Sequence, residues 1–256
     1  MTKPKSITPS GTAGKSLKEQ NRWQLWLVLA FNCLFLYGVA QANAIRIEGL
    51  RAAFTDAGNI VPIGFALILT TVLNGVLSAD AKARLVFLRW HHALPGHRAF
   101  GVYAVSDPRI DPAALLRLHG SAFPTDPVEQ NRAWYRIYKG VEKEPAVVQV
   151  HRDFLLLRDY TGLAALFVVF FGAAALYAIN SSGIRLAYLL LLILQYGVVR
   201  QAAANYGIRM VTTVLALKAA APISKSARTP RALAQKRPPK AAKVVPETQA
   251  PKPPDL

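Results

Sequence analysis

The residues best suited to chemistry lie in one basic stretch, RWHHALPGHRAF, which runs from Arg89 to Phe100. The stretch contains three of the five histidines of the chain, two arginines and a Pro-Gly pair that predicts a turn. Imidazole groups bind transition metals and titrate near neutral pH, whereas guanidinium groups bind carboxylates and phosphates. The stretch therefore indicates either a metal or acid/base centre, or a basic loop that meets anionic groups at a membrane surface.

A metal centre is considered because all five histidines fall between residues 80 and 159. Zinc and iron sites need three or four converging His, Asp or Glu ligands. The sequence has no HExxH pattern and no pair of histidines on one helical face. We therefore predict no cofactor, and a divalent metal in a membrane-embedded metalloenzyme stays as an alternative. Its candidate ligands are His91, His92, His97, His119 and His151, with Asp107, Asp111 and Asp153 as carboxylates.

A second basic and aromatic element is predicted over PVEQNRAWYRIYK, from Pro127 to Lys139. Asp126 before this segment has the pattern of a helix N-cap. A helix with tryptophan, tyrosine and basic side chains can lie against lipid headgroups. An ordinary amphipathic core helix with a solvated charged face stays as the alternative. The candidate residues for binding a ligand or headgroup are Arg89, His91, His92, His97, Arg98, Arg132, Trp134 and Arg136.

Four long apolar stretches must position these side chains. The chain has 256 residues, is 52% hydrophobic and carries a formal charge of +17. This mixture is explained if the apolar residues lie in lipid and the basic residues lie on one side of it. A span needs about 20 apolar residues. We therefore predict an all-α, polytopic membrane protein with two transmembrane hairpins, over residues 23–79 and 160–204. Their spans are residues 23–44, 60–79, 160–179 and 184–204.

The distribution of lysine and arginine predicts the orientation. These residues are concentrated in both tails and between the second and third spans, whereas the first outer loop has only Arg46 and Arg51. The positive-inside rule then places both termini and residues 80–159 in the cytoplasm of a bacterium, with the spans in its inner (plasma) membrane. The triplet ending at Ala44 also resembles a signal-peptidase site, so cleavage after it stays open.

Residues 80–159 are predicted to form a small helical module in the cytosol. Their first part, DAKARLVFLRW, is expected to extend the second helix into the cytosol. Asp111 and Asp126 are predicted N-caps, each followed by proline. A helix from Pro145 is expected to run unbroken into the third span, so that movement of the module reaches the membrane.

The segments around the fourth span are less regular. Arg185 and Arg200 flank its apolar centre, so their side chains must reach the membrane surface or the helix must continue. Residues 205–218 predict an interfacial helix on the inner leaflet, with simple continuation of the span as the alternative. The composition of residues 1–22 and 219–256 predicts disordered basic tails.

These features together predict a non-enzymatic protein in which the cytosolic module binds a ligand, a partner or anionic lipid and couples it to the membrane helices. The layout resembles that of small bacterial membrane sensors and effectors in architecture alone. We expect a homo-oligomer that contacts membrane lipids, and an acidic protein or nucleic acid as a partner of the C-terminal tail. An oligomeric channel or pore-forming effector is a further alternative, although no span has an ionisable residue at its centre.

Overall fold

A computed structural model describes residues 17–48, 60–120 and 122–220 of the chain. These residues form helices and short loops, and no strand occurs among them, so the all-α prediction is confirmed. Within these ranges, three helices are long and apolar enough to cross a membrane, or four if one bent pair counts as a single span. The chain is therefore a membrane protein with three or four candidate spans.

The N-terminal part contains two apolar helices and three shorter ones. Large apolar side chains point outward from the apolar helices, among them Phe31, Leu34 and Val61, as expected for surfaces that contact lipid. The helices are α1 (Leu17–Gln20), α2 (Arg22–Ala40), α3 (Ala42–Glu48), α4 (Ile60–Val76) and α5 (Ala79–Phe87).

The middle part is a set of short helices whose predicted caps are confirmed. The Asp111 side chain accepts from the Ala113 N–H at 2.9 Å, and Asp126 accepts from the Glu129 N–H at 2.9 Å. Gly120 ends the first capped helix at φ 77°, a left-handed conformation that suits glycine. The elements are a 3₁₀ turn (Pro95–Arg98), a π-helical turn (Ala99–Tyr103), α6 (Ala104–Ser106), α7 (Pro112–His119) and α8 (Pro127–Val141).

Two long helices complete the fold. The first consists of α9 (Pro145–Leu166), a π-helical turn (Phe167–Phe171) and α10 (Gly172–Ala178), and it is continuous over 34 residues. The second, α11 (Ser182–Ala220), has 39 residues. At about 1.5 Å per residue they extend about 51 Å and about 58 Å, beyond a hydrocarbon core of about 30 Å. The predicted unbroken helix from Pro145 into the third span is confirmed.

The two long helices run antiparallel and join two hydrophobic cores. The start of α11 meets the end of α10, where Arg185 donates to the Leu176 carbonyl at 3.3 Å. The end of α11 meets the start of α9, where Val214 and Val147 lie in the same core. One core, called the membrane core below, lies between α2, α4, α10 and the first half of α11, around Phe167 and Phe171. The other core lies in the module, where α7, α8 and the start of α9 pack on the last turns of α11. The module and the membrane bundle therefore share two helices.

Two predictions about helix ends are wrong. The second span does not extend into the module, because the chain bends by 104° between α4 and α5. Ser78 causes the break: its side chain accepts from the Ala81 N–H at 3.1 Å and begins a new helix. No separate interfacial helix covers residues 205–218, because α11 continues to Ala220 and buries Val211 and Val214 in the module core.

The predicted tails lie mostly outside the described residues. Residues 17–22, assigned to a disordered tail, are instead largely helical, and Asn21 is buried with its side-chain amide donating to the Arg152 carbonyl at 2.8 Å. The two arginines of the fourth span bind carbonyls of neighbouring helices. Arg185 donates to the Leu176 carbonyl at 3.3 Å, and Arg200 donates to the Val86 carbonyl at 3.2 Å.

Candidate functional site

The basic loop, residues 88–98, is held at the end of α5. The last carbonyls of that helix have no partner within it and accept from side chains of α11. Tyr196 Oη donates to the Leu85 carbonyl at 3.0 Å, and Arg200 Nη1 donates to the Val86 carbonyl at 3.2 Å. The start of the loop is therefore fixed to one of the two long helices.

The first half of the basic loop projects away from the protein. Leu88 and His92 both have left-handed backbones, at φ 49° and 51°, which is uncommon for residues other than glycine. Between them, Arg89 and His91 are exposed, and Trp90 is 79% exposed. Leu88 is also 63% exposed. A tryptophan, a leucine and an arginine displayed together are typical of a segment that contacts a membrane interface.

The second half of the basic loop packs on α8 through Gly96 and the turn that follows. A Cβ atom at Gly96 would collide with the side chains of Asn131 and Trp134, so only glycine permits this approach. Gln130 Oε1 accepts from the N–H groups of Phe100 and Gly101, at 3.2 Å and 3.0 Å. The glycine and the buried glutamine hold the turn against the module.

His97 and Arg98, the two basic residues of this turn, are only partly exposed. His97 Nδ1 lies 3.1 Å from the Leu94 carbonyl, and its ring centroid lies 5.1 Å from that of His92. Burial lowers the pKa of His97, with the nearby charges of His92 and Arg98 acting in the same direction. Arg98 is half-buried, and its Nη1 has no hydrogen-bond partner within the described part of the chain.

The candidate residues on α8 divide between its two faces. Trp134 is 7% exposed and stacks on Tyr138 in the module core, at 5.5 Å between ring centroids. It therefore does not face a ligand or a lipid headgroup, and its predicted role is not supported. Arg132 and Arg136 are exposed on the other side, where Arg132 pairs with Glu129 at 2.6 Å. This arrangement matches the alternative of an amphipathic core helix.

The four histidines whose side chains are described do not converge on one point. In the three described ranges, no group of three or more His, Cys, Asp or Glu side chains lies close enough to hold a metal ion. His151 Nδ1 lies 3.1 Å from Tyr138 Oη, while His91 and His92 are exposed in the basic loop. The backbone of His119 ends α7, and its side chain lies outside the described residues.

A buried charged cluster lies where α5 meets α9. Lys82 Nζ lies 3.3 Å from Asp159 Oδ1, and these residues are only 5% and 3% exposed. Arg158 donates to the same oxygen from Nε at 3.2 Å and from Nη2 at 3.1 Å. One carboxylate therefore compensates two cations, and the cluster has a net positive charge. Ionisable residues buried among membrane helices commonly mark ligand or ion sites.

A cavity of about 410 Å³ opens beside this cluster and is bordered by α2, α4, α5 and α9. Lys82 and Asn74 form part of its polar side, and Leu25, Leu29 and Leu163 form an apolar side. Asn74 Oδ1 is buried and has no hydrogen-bond partner among residues 17–48, 60–120 and 122–220. The cavity therefore combines a charged end with an apolar wall.

Gly162 allows the charged end of the cavity to form. A Cβ atom at this position would lie 3.3 Å from Asn74 Oδ1 and 3.5 Å from Lys82 Cγ. The lysine side chain therefore crosses α9 at a point where that helix has no side chain.

The cavity is not evident from the sequence, because Lys82 and Asp159 lie at opposite ends of the predicted cytosolic segment, residues 80–159. A signal was nevertheless present. Lys82 closely follows the second predicted span and Asp159 directly precedes the third. Two consecutive spans cross a membrane in opposite directions, so these ends lie at the same depth and in adjacent helices.

Arg109 attaches the module to α11 at a second point. Its Nη2 donates to Asp107 Oδ2 at 2.7 Å and to Thr212 Oγ1 at 3.0 Å. The guanidinium group holds the pKa of the Asp107 carboxyl well below its usual range. The loop between α6 and α7 is thus tied to the same helix that fixes the basic loop.

No family model matches the chain, and no curated protein or solved structure matches it significantly.

Proposed function

We propose that this chain is a non-enzymatic, four-span protein of a bacterial inner membrane that binds anionic groups through its cytosolic module. Binding at the basic loop would be coupled to the membrane helices, in a homo-oligomer with both termini in the cytoplasm. The basic C-terminal segment would provide a second contact, to an acidic protein or a nucleic acid. The observation that carries this proposal is the attachment of the last turn of α5, which leads directly into the basic loop, to α11, one of the two helices shared by the module and the bundle.

The composition of the basic loop supports anionic lipid as its first partner. Trp90 and Leu88 provide apolar surface, and Arg89 provides a cation between them. Each cation near an anionic membrane contributes about 1 kcal/mol, and a tryptophan favours the headgroup level. Because α5 bends by 104° from α4, it runs roughly along the membrane surface if α4 crosses the membrane. The loop at its end would then lie at headgroup level.

The contacts of α5 with α11 support coupling. A movement of the basic loop that displaces the last turn of α5 would shift the bonds that Tyr196 and Arg200 make to its carbonyls. Both donors lie in α11, which continues into the membrane core near Leu192. Two packed helices transmit small displacements of this kind as rigid elements.

The test uses Cys33, the only cysteine of the chain, which packs against the membrane core. A fluorophore on Cys33 reports on the bundle in nanodiscs of phosphatidylcholine with and without phosphatidylglycerol. We expect the anionic lipid to change its emission in the wild type. In Arg89→Ala/Trp90→Ala, the phosphatidylglycerol concentration that produces half of this emission change should rise about five-fold or more, because a cation and an interfacial anchor are lost.

The matched control is Tyr135→Ala/Lys143→Ala, which also removes one exposed aromatic ring and one exposed cation from the module. This variant should respond as the wild type does. A second variant, Arg132→Ala/Arg136→Ala, measures how much the charged face of α8 contributes to the response to anionic lipid. Equal responses of the Arg89/Trp90 variant and the wild type would rule out the basic loop as the binding surface.

A further inference from the structure

We propose that the cavity beside Lys82 and Asp159 binds one phospholipid, with the phosphate at the charged end and an acyl chain along the apolar wall. This site is separate from the basic loop. The inference depends on the chain being a membrane protein and does not depend on the sensing role of the module.

The charges around the cavity favour a phosphate group. Arg22 and Lys82 line it, and Arg158 lies behind Asp159 at hydrogen-bond distance. The carboxylates that line the cavity are Glu19 and Asp159, which match Arg22 and Lys82 in number. Arg158, bonded to Asp159 from behind, adds one positive charge to this group of described residues. Asp159 is already bonded to both Lys82 and Arg158. A phosphate would complete the charge balance with charge-assisted hydrogen bonds.

The apolar wall distinguishes a lipid from a free anion. Leu25, Leu29 and Leu163 line the side of the cavity toward the membrane core, and Trp26 stands at its rim, 49% exposed. A hydrophilic anion would leave this wall in contact with water, whereas an acyl chain covers it. A cavity that is basic at one end and apolar along its length is typical of headgroup pockets between membrane helices.

The position of the cavity along the helices also suits a headgroup. The apolar helix α4 ends at Val76, and the polar helix α5 begins at Ala79, next to the charged cluster. Trp23 and Trp26 are exposed at the start of α2, and tryptophan is enriched where hydrocarbon meets headgroups. The polar end of the cavity therefore lies at the depth where phospholipid phosphates lie.

The decisive variant fills the cavity without changing a charge. Gly75 lines the cavity, and a Cβ atom there would meet nothing within 4 Å, so Gly75→Leu occupies free space. The matched control is Gly64→Leu in the same helix, where a Cβ atom also meets nothing within 4 Å and which does not line the cavity. Thermal unfolding in detergent checks that both variants are folded.

Native mass spectrometry of the full-length protein in mild detergent measures retained phospholipid. We expect one retained phospholipid on the wild type and on Gly64→Leu, and none on Gly75→Leu. Delipidated protein titrated with phosphatidylglycerol should bind about ten-fold more weakly when Lys82→Gln removes one charged hydrogen bond. The basic-loop variant Arg89→Ala/Trp90→Ala should retain the lipid, which separates this proposal from the previous one.

Two results would overturn the proposal. Equal retention by wild type and Gly75→Leu would place the lipid elsewhere. Competition by inorganic phosphate or glycerol 3-phosphate at the affinity of phosphatidylglycerol would make the ligand a free phosphate, because the acyl chain would then contribute nothing.

Discussion

Removal of the Asp159 carboxylate should destabilise the protein far more than removal of the Lys82 ammonium. In Asp159→Asn, Lys82 and Arg158 stay close together in a buried position and lose the carboxylate that both of them contact. Loss of one partner of a buried ion pair costs about 3 to 5 kcal/mol. In Lys82→Met the carboxylate keeps both bonds from Arg158, at 3.1 Å and 3.2 Å, and the methionine fills the same space. We expect that change to cost no more than about 1 kcal/mol.

The difference can be measured by thermal unfolding in detergent, followed by circular dichroism at 222 nm. About 2 to 4 °C of melting temperature correspond to 1 kcal/mol in a chain of this size, so Asp159→Asn should melt about 6 to 20 °C lower. Asp153→Asn is the control on the same helix. Asp153 is half-buried, and its ion pair is weak because Asp153 Oδ1 lies as far as 3.8 Å from Arg152 Nε. Its removal should therefore change the free energy of unfolding by about 0.5 kcal/mol or less.

The melting temperatures of Lys82→Met and Asp159→Asn, compared with each other, test whether Arg158 compensates the Asp159 carboxylate. If Lys82→Met and Asp159→Asn lower the melting temperature equally, Arg158 does not compensate the carboxylate and the description of the charged cluster is wrong. If neither variant lowers it, water reaches the charges and the cluster is not buried. We expect added phosphatidylglycerol to reduce the difference in melting temperature between the wild type and Asp159→Asn, because a bound phosphate supplies a counter-charge.

Two further predictions concern packing and pH. Gly207→Ala should lower the free energy of unfolding by about 1 to 3 kcal/mol in the same assay, because its Cβ atom would lie 2.8 Å from the rings of Phe154 and Phe87. Gly197→Ala on the same helix is the control and should leave the stability unchanged, because a Cβ atom there meets nothing within 4 Å. Stability should fall as pH drops below about 6.5, because the lowered pKa of His97 makes the folded module favour neutral imidazole while the unfolded chain takes up a proton. His97→Gln should flatten this dependence and His91→Gln should not, and an unchanged pH profile in His97→Gln would contradict the assignment.

The helices and their caps could be predicted from local sequence. Asp111 and Asp126 cap helices because a carboxylate followed by proline satisfies free N–H groups whatever surrounds it. Serine is also a favourable N-cap, but the apolar run before Ser78 favours one continuous helix, so the sequence does not reveal the break at this residue. The bend at this residue decides where the basic loop and the charged cluster lie.

The partners of charged side chains could not be predicted from sequence. Arg200 was expected to reach the membrane surface, yet it binds a carbonyl of α5, more than a hundred positions earlier in the chain. The sequence favours a headgroup-facing role for Trp134 because its helix carries tryptophan, tyrosine and basic side chains, whereas packing places Trp134 in the module core. Which face of an amphipathic helix is covered depends on its neighbours, and these are set by the tertiary fold.

The sequence by itself determined that the chain is helical and membrane-bound, because hydrophobic length and helix caps are local properties of the chain. Only the tertiary structure decided where its charges lie. It brought Lys82 and Asp159 together across 77 positions, 3.3 Å apart, and removed them from water. Burial and partner distance are properties of the packed helices, and they determine whether a charged residue is a solvated surface group or part of a binding site.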